Sequence, residues 1–146
     1  MAVNVETSIE IALPRAVVSA YAADPDNATA WYTNIESIEW QTPRPLVRGS
    51  KFAFVAHFLR RRIAYTYEVR ELVEGERFVM STEHGPFPMR TEYSWTDTAS
   101  GTVMTLRNSG QPSGFGSLTA PMIAAAMRRA NKRDLARLKT ILESQP

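Results

Sequence analysis

Residues 51–70 read KFAFVAHFLRRRIAYTYEVR, a stretch in which apolar side chains recur at every second position on both sides of an arginine run. A period of two is typical of β-strands, because successive side chains point to opposite faces of a sheet. A tight connection at Arg60-Arg61 places Phe54 opposite Tyr67 and brings the two apolar sets onto one face. The stretch therefore predicts an antiparallel hairpin with a buried, tyrosine-bearing face.

The same alternation recurs along the chain and predicts a meander of about seven strands. The strands predicted around the hairpin are residues 3–11, 35–41, 78–84, 89–95 and 103–108. Each connection is short enough to join antiparallel neighbours.

Two short helices are predicted after the first strand. The first covers residues 15–22, and its inner face is predicted to carry Val17, Ala20 and Tyr21. The second begins at Asp24-Pro25, because Asp is a favourable N-cap and Pro suits the first helical position.

A long amphipathic helix is predicted over residues 118–142. Its apolar stripe consists of Ile123, Met127, Ala130, Leu135, Leu138, Ile141 and Leu142. The simplest packing curls the one-sided sheet around this helix, which predicts an α+β fold. Asn131 and Asp134 fall inside the apolar arc, where a polar group needs a partner. Asn131 either ties the helix to the sheet or orients a ligand, whereas Asp134 is predicted to be structural.

The composition is that of a soluble globular domain, with 146 residues, 44% hydrophobic and 22% charged. This length predicts a single domain over residues 1–146. A net charge of only +2 argues against nucleic acid as the main partner. No stretch is apolar enough to span a bilayer and the N-terminus lacks secretory features. We therefore expect a cytoplasmic protein without integral membrane association, either monomeric or dimeric.

Signals for metal, cofactor or covalent chemistry are weak. There is no cysteine, and the two histidines, His57 and His84, have no evident carboxylate partners, so no metal is expected. No G-x-S-x-G nucleophile elbow is present. The glycine loop at Gly110–Gly116 precedes a helix but lacks a βαβ unit, so no nucleotide cofactor is expected.

Three inward tyrosines, Tyr65, Tyr67 and Tyr93, favour a pocket over a solid core, because buried hydroxyl groups need partners. We expect a cavity of ~300–1,000 Å³ between the helix and the sheet. Each side chain taken alone is also compatible with ordinary core packing. The candidate ligand-binding residues are Trp31, Phe54, Tyr65, Tyr67, Met80, His84, Tyr93, Asn108, Ile123, Met127 and Asn131.

The order of elements resembles the helix-grip fold of the START-like, or SRPBCC, superfamily, which includes the birch-pollen allergen type. The segments Phe58–Arg62, Gly85–Met89, Leu106–Asn108 and Met127–Asn131 are similar to the bacterial polyketide cyclase/dehydrase-like branch. The resemblance covers essentially the whole chain and implies a hydrophobic cavity between helix and sheet. Within the superfamily, some members bind lipids or secondary metabolites and a few catalyse aromatic ring closure.

Three functions follow as hypotheses. The leading one is the binding, transport or sequestration of a small hydrophobic ligand, such as a lipid or a polyketide-like metabolite, in the cavity. The second is a cyclase or dehydratase in which a cavity tyrosine or His84 acts as acid or base. The third is a protein-interaction module that uses the basic face of the long helix, where Arg128, Arg129 and Arg133 lie.

Overall fold

A computed structural model describes residues 2–83, 88–111 and 118–145. Its strands are β1 (Val3–Ile11), β2 (Ile35–Trp40), β3 (Lys51–Phe58), β4 (Arg61–Val73), β5 (Arg77–Thr82), β6 (Met89–Asp97) and β7 (Thr102–Gly110). Its helices are α1 (Arg15–Ala22), a 3-10 turn (Pro25–Asn27), α2 (Ala28–Trp31) and α3 (Ala120–Glu143).

Within the described residues, the seven strands form one antiparallel sheet in the order β1-β7-β6-β5-β4-β3-β2. Strands β2 to β7 are a meander, and β1 pairs with β7 at the other edge. The predicted α+β helix-grip architecture is confirmed, with two short helices after the first strand and a long C-terminal helix.

The faces of the strands follow the alternation in the sequence. In β1, Val3, Val5 and Ile11 are fully buried, whereas Asn4 and Glu6 between them are exposed. Such a one-sided sheet must cover its apolar face, and α3 supplies the cover. The core accordingly lies between the concave face of the sheet and the helix.

The β3–β4 hairpin has a register two residues away from the predicted one. Phe54 pairs with Tyr65 and not with Tyr67, because the turn residues are Leu59 and Arg60. Both have positive φ, 50° and 66°, as a type I′ turn requires. Such turns prefer Asn and Gly, so the sequence carries no signal for this one. A shift of two residues keeps each side chain on its face, and the predicted burial of the tyrosine-bearing face is confirmed.

The curvature of the sheet is helped by irregularities in its long strands. The pairing of β4 with β5 shifts register between Val69 and Glu71, and bulges of this kind bend a strand and increase its twist. The concave side therefore bends towards α3, which begins at Ala120 with Pro121 in its first turn.

Helix α1 buries a different face from the predicted one. Val18, Ser19 and Ala22 are its buried residues, whereas Val17 is 46% exposed. In a helix of eight residues with adjacent valines, periodicity alone does not decide the inner face, and packing against β6 does. The predicted capping after α1 is confirmed, since Asp24 accepts a hydrogen bond from the amide of Asp26.

Candidate functional site

A cavity of about 110 Å³ lies between α3 and the concave face of the sheet. It is smaller than the predicted volume because aromatic rings occupy much of the space. The ring of Tyr65 stacks on Phe54 with centroids 5.6 Å apart, and Tyr67 meets Tyr65 edge-on at 5.2 Å. The wall residues Ile35, Ile63 and Ala130 are half-buried, so the cavity approaches the solvent between α3 and the β2–β4 side of the sheet.

Eight of the predicted ligand-binding residues lie on the cavity wall: Phe54, Tyr65, Tyr67, Met80, Tyr93, Asn108, Met127 and Asn131. The fold therefore brings them together, while their role in binding stays a prediction. His84 lies outside the described residues.

Two predicted residues lie in packed core and not on the wall. Trp31 is fully buried, with its ring against Tyr32 at a centroid distance of 4.1 Å. Ile123 belongs to a separate apolar cluster with Val3 and Val5 of β1. Both side chains are buried as expected, but neither is among the residues that line the cavity.

A chain of hydrogen bonds joins three strands across the cavity floor. The hydroxyl of Thr91 on β6 donates to Oδ1 of Asn108 on β7 at 2.8 Å. A threonine hydroxyl has a single proton, so the Tyr67 hydroxyl, 2.8 Å from Thr91 Oγ1, must be the donor in that second bond. Burial raises the pKa of Tyr67 well above its ordinary value, which keeps the phenol protonated as this arrangement requires.

Two phenols meet on the wall beside α2. The hydroxyl groups of Tyr32 and Tyr93 are hydrogen-bonded to each other. Burial is the main cause that raises the pKa of both side chains, so both are neutral at physiological pH. Sequence reasoning missed Tyr32 as a site residue, because it follows a four-residue helix with no periodicity to give its direction.

The fourth tyrosine of the wall, Tyr65, differs from the other three. Burial alone raises its pKa, and its hydroxyl has no hydrogen bond within the described part of the chain. Its side chain lines the cavity and is half-buried. The hydroxyl is therefore available to a molecule inside the cavity.

Asp134 of α3 is held by the segment that follows α2. Its Oδ1 accepts hydrogen bonds from the backbone amide and the hydroxyl of Thr33, both at 3.0 Å. The residue is only 1% exposed, and burial raises the pKa of its carboxyl despite the opposing effect of the two donors. Asp134 therefore has the hydrogen-bond partner that its predicted structural role requires. Its side chain also borders the cavity.

Asn131 lies one turn earlier on the same buried arc of α3. The residue is 5% exposed and borders the cavity. Its Nδ2 has no hydrogen-bond partner among the residues that the structure describes. A hydrogen bond from Nδ2 to the sheet, which would support the hypothesis that Asn131 ties the helix to the sheet, is therefore absent among the described residues.

The outer face of α3 is strongly basic. Arg128, Arg129, Lys132 and Arg133 are exposed. Two further basic residues of the helix make intramolecular contacts. Arg137 donates to the carbonyl of Ala30 at 2.6 Å, and Lys139 donates to the carbonyl of Glu10 at 2.7 Å, so part of the positive charge fastens α3 to the rest of the fold.

The described residues contain no group of three or more His, Cys, Asp or Glu side chains with metal-site geometry. None of the helices described here combines the length and the apolarity needed to cross a membrane.

The family model that matches the chain is described as "Polyketide cyclase / dehydrase and lipid transport", and it covers residues 2–143. The chain belongs to this family. Membership confirms the resemblance seen in the sequence. No curated protein sequence matches the chain significantly.

Solved structures share the fold of this family member over nearly its whole length. The protein TTHA0849 from Thermus thermophilus has a TM-score of 0.83 at 17% identity, covering 97% of both chains. A START superfamily protein from Mycobacterium smegmatis also scores 0.83, at 12% identity over 96% of this chain and 97% of that one. The Zhui aromatase/cyclase from a Streptomyces species scores 0.79, at 17% identity over 98% of this chain and 94% of that one. Likeness at these identities shows the fold alone.

Proposed function

We propose that this protein binds a small, largely apolar molecule in the cavity beneath α3, for transport, sequestration or chemistry on that molecule. The main support for the proposal is the cavity itself. Its walls are mostly aromatic and aliphatic, with a few polar side chains. Ligand sites typically have this composition, in which apolar surface supplies affinity and a few polar groups supply orientation.

The volume of the cavity limits the ligand. About 110 Å³ approaches the ~150 Å³ of an engineered apolar cavity that holds benzene, so one ring is the natural size. Met80, Met89 and Met127 border the cavity, and their flexible side chains can move to admit a longer lipid or polyketide-like molecule. The family description, which names polyketide cyclases and lipid transport, supports ligands of these kinds.

Native mass spectrometry of the purified protein tests whether it retains a small molecule. A titration of ¹⁵N-labelled protein with ethylbenzene tests the cavity directly, since binding should shift the amide resonances of β3, β4, β6 and α3. Ala130 borders the cavity, so Ala130→Phe should fill it and weaken binding. Ala136 is exposed on the same helix, and Ala136→Phe is the matched control. Equal effects of the two variants, or the absence of cavity shifts in the unmodified protein, would contradict the proposal.

A second candidate function is ring-closing or dehydrating catalysis, and the Tyr32–Tyr93 pair favours it. Two neutral phenols share one hydrogen bond, so one O–H remains free to donate to a ketone oxygen in the cavity. Such a donor stabilises the negative charge that develops on the oxygen when an enolate forms.

Incubation with a linear poly-β-ketone analogue, followed by mass spectrometry of the products, tests this second function. Tyr93→Phe should lower the rate of cyclisation, whereas Tyr21→Phe, outside the cavity, should not. A rate that is unchanged in both Tyr93→Phe and Tyr32→Phe would argue against catalysis by the pair.

A further inference from the structure

Some hydrogen-bond donors of the cavity wall are paired, and others have no acceptor among the described residues. The hydroxyl of Thr91 donates to Asn108, and that of Tyr67 donates to Thr91, so these two protons are used. The Tyr65 hydroxyl has no partner within the described residues. Of the two protons in the Tyr32–Tyr93 pair, one joins the pair and the other is free.

Asn131 supplies a further donor without a partner among the described residues. Its Nδ2 is buried and without a partner in the described part of the chain, and its side chain borders the cavity. The terminal torsion of an asparagine side chain is broad, so rotation about it can turn the N–H bonds towards the cavity. Because a buried donor without a partner is costly, a ligand that supplies an acceptor gains from pairing with it.

The charges around the cavity disfavour an anion. No Lys, Arg or His is found among the described residues of the wall, whereas the carboxyl of Asp134 is part of it. A buried carboxylate on a ligand would find no cation among these described wall residues, and an unpaired charge in an apolar site is strongly unfavourable.

We propose that the cavity selects an uncharged ligand with an acceptor oxygen, such as the carbonyl of a ketone, ester or quinone, and that Asn131 recognises this oxygen. The inference rests on the proposed binding function and narrows its ligand class, because it separates neutral carbonyl compounds from fatty acids and other carboxylates of similar size.

Three ligands of one-ring size test the inference: ethylbenzene, acetophenone and benzoate. All three contain a benzene ring. Ethylbenzene has no hydrogen-bond acceptor, acetophenone has a neutral carbonyl and benzoate has an anionic carboxylate. Binding constants come from ¹⁵N NMR titrations at neutral pH. Benzoate should bind most weakly. The ratio of the acetophenone to the ethylbenzene affinity should fall about tenfold in Asn131→Leu, the factor that one ordinary hydrogen bond supplies.

The side-chain amide resonances give a direct readout. Acetophenone, compared with ethylbenzene, should shift the Nδ2 protons of Asn131. Asn34 is an internal control, because it also borders the cavity but its Nδ2 already donates to the carbonyl of His57 at 2.8 Å. Its shifts should not distinguish the two ligands.

The outcomes separate this inference from the function on which it rests. If ethylbenzene and acetophenone both leave the cavity resonances unchanged, the proposed binding function is wrong. If they bind but the affinity ratio is the same in Asn131→Leu, or if benzoate binds most tightly, the binding function stands and the inference is overturned. Asn131→Ala gives the same ratio test if the leucine variant does not fold.

Discussion

The tyrosines of β4 allow a matched test of the hydrogen-bond chain beneath the cavity. Tyr65 and Tyr67 are two residues apart on one face, and both border the cavity. Of these two hydroxyl groups, only that of Tyr67 has a hydrogen bond within the described residues, and its partner is Thr91. Tyr67→Phe retains the ring, which meets Phe54 edge-on at 5.5 Å, and removes just the hydroxyl.

The expected loss follows from that single bond. A typical intramolecular hydrogen bond contributes about 1 kcal/mol to the free energy of unfolding. For a chain of this length, this corresponds to a decrease of about 3 °C in Tm. Tyr65→Phe should change Tm by far less than this, because no bond is lost and its stacking on Phe54 is kept.

Urea unfolding followed by far-UV circular dichroism measures both variants, and thermal unfolding confirms the order. Thr91→Val is a useful third variant, since it removes both bonds of the chain and should cost more than Tyr67→Phe. Adding Tyr67→Phe to Thr91→Val should then cost little more, because the shared bond is already absent. Equal losses in Tyr65→Phe and Tyr67→Phe, or full additivity in the double variant, would refute the assignment.

Three further predictions concern stability. Asp134→Asn keeps the acceptor for Thr33 and removes a buried charge whose carboxyl has a raised pKa, so it should raise Tm at neutral pH. The gain should vanish as the pH falls to the ordinary pKa of the carboxyl, and a gain that grows in acid would contradict this sign. Gly101→Ala should destabilise by about 1–3 kcal/mol in urea unfolding, because the added Cβ would lie 2.1 Å from the carbonyl oxygen of Ile11, and a neutral effect would be inconsistent with so close an approach. Arg60→Gly should stabilise by about 0.5–1 kcal/mol in the same assay, because φ is 66° at this exposed turn position, and a loss of stability would show that the turn differs from type I′.

The inner and outer faces of the strands could be predicted because they depend on local periodicity. The alternation of Val3, Val5 and Ile11 with exposed residues assigns each side chain to one face of the sheet. This assignment stays correct when the predicted register is wrong by an even number of residues. The buried arc of α3, with Asn131 and Asp134 inside it, was predicted correctly for the same reason, since the angle between helical residues is a local property.

The register of the β3–β4 hairpin and the inner face of α1 depended on more than local pattern. Leu59 and Arg60 adopt positive φ although neither residue favours it, so the position of the turn follows from the pairing of the strands. In α1, Val17 and Val18 are equally apolar, and only contact with the sheet decides that Val18 is buried.

The sequence by itself thus determined the α+β class, the faces of the strands and eight of the side chains that line the cavity, because these follow from periods of 2.0 and 3.6 residues. Only the tertiary structure decided which polar groups meet. Tyr32 pairs with Tyr93, and Thr33 with Asp134, across 61 and 101 positions of the chain. It also decided the volume of the cavity, because the space left by Tyr65 and its neighbours depends on how their rings pack and not on which face they occupy.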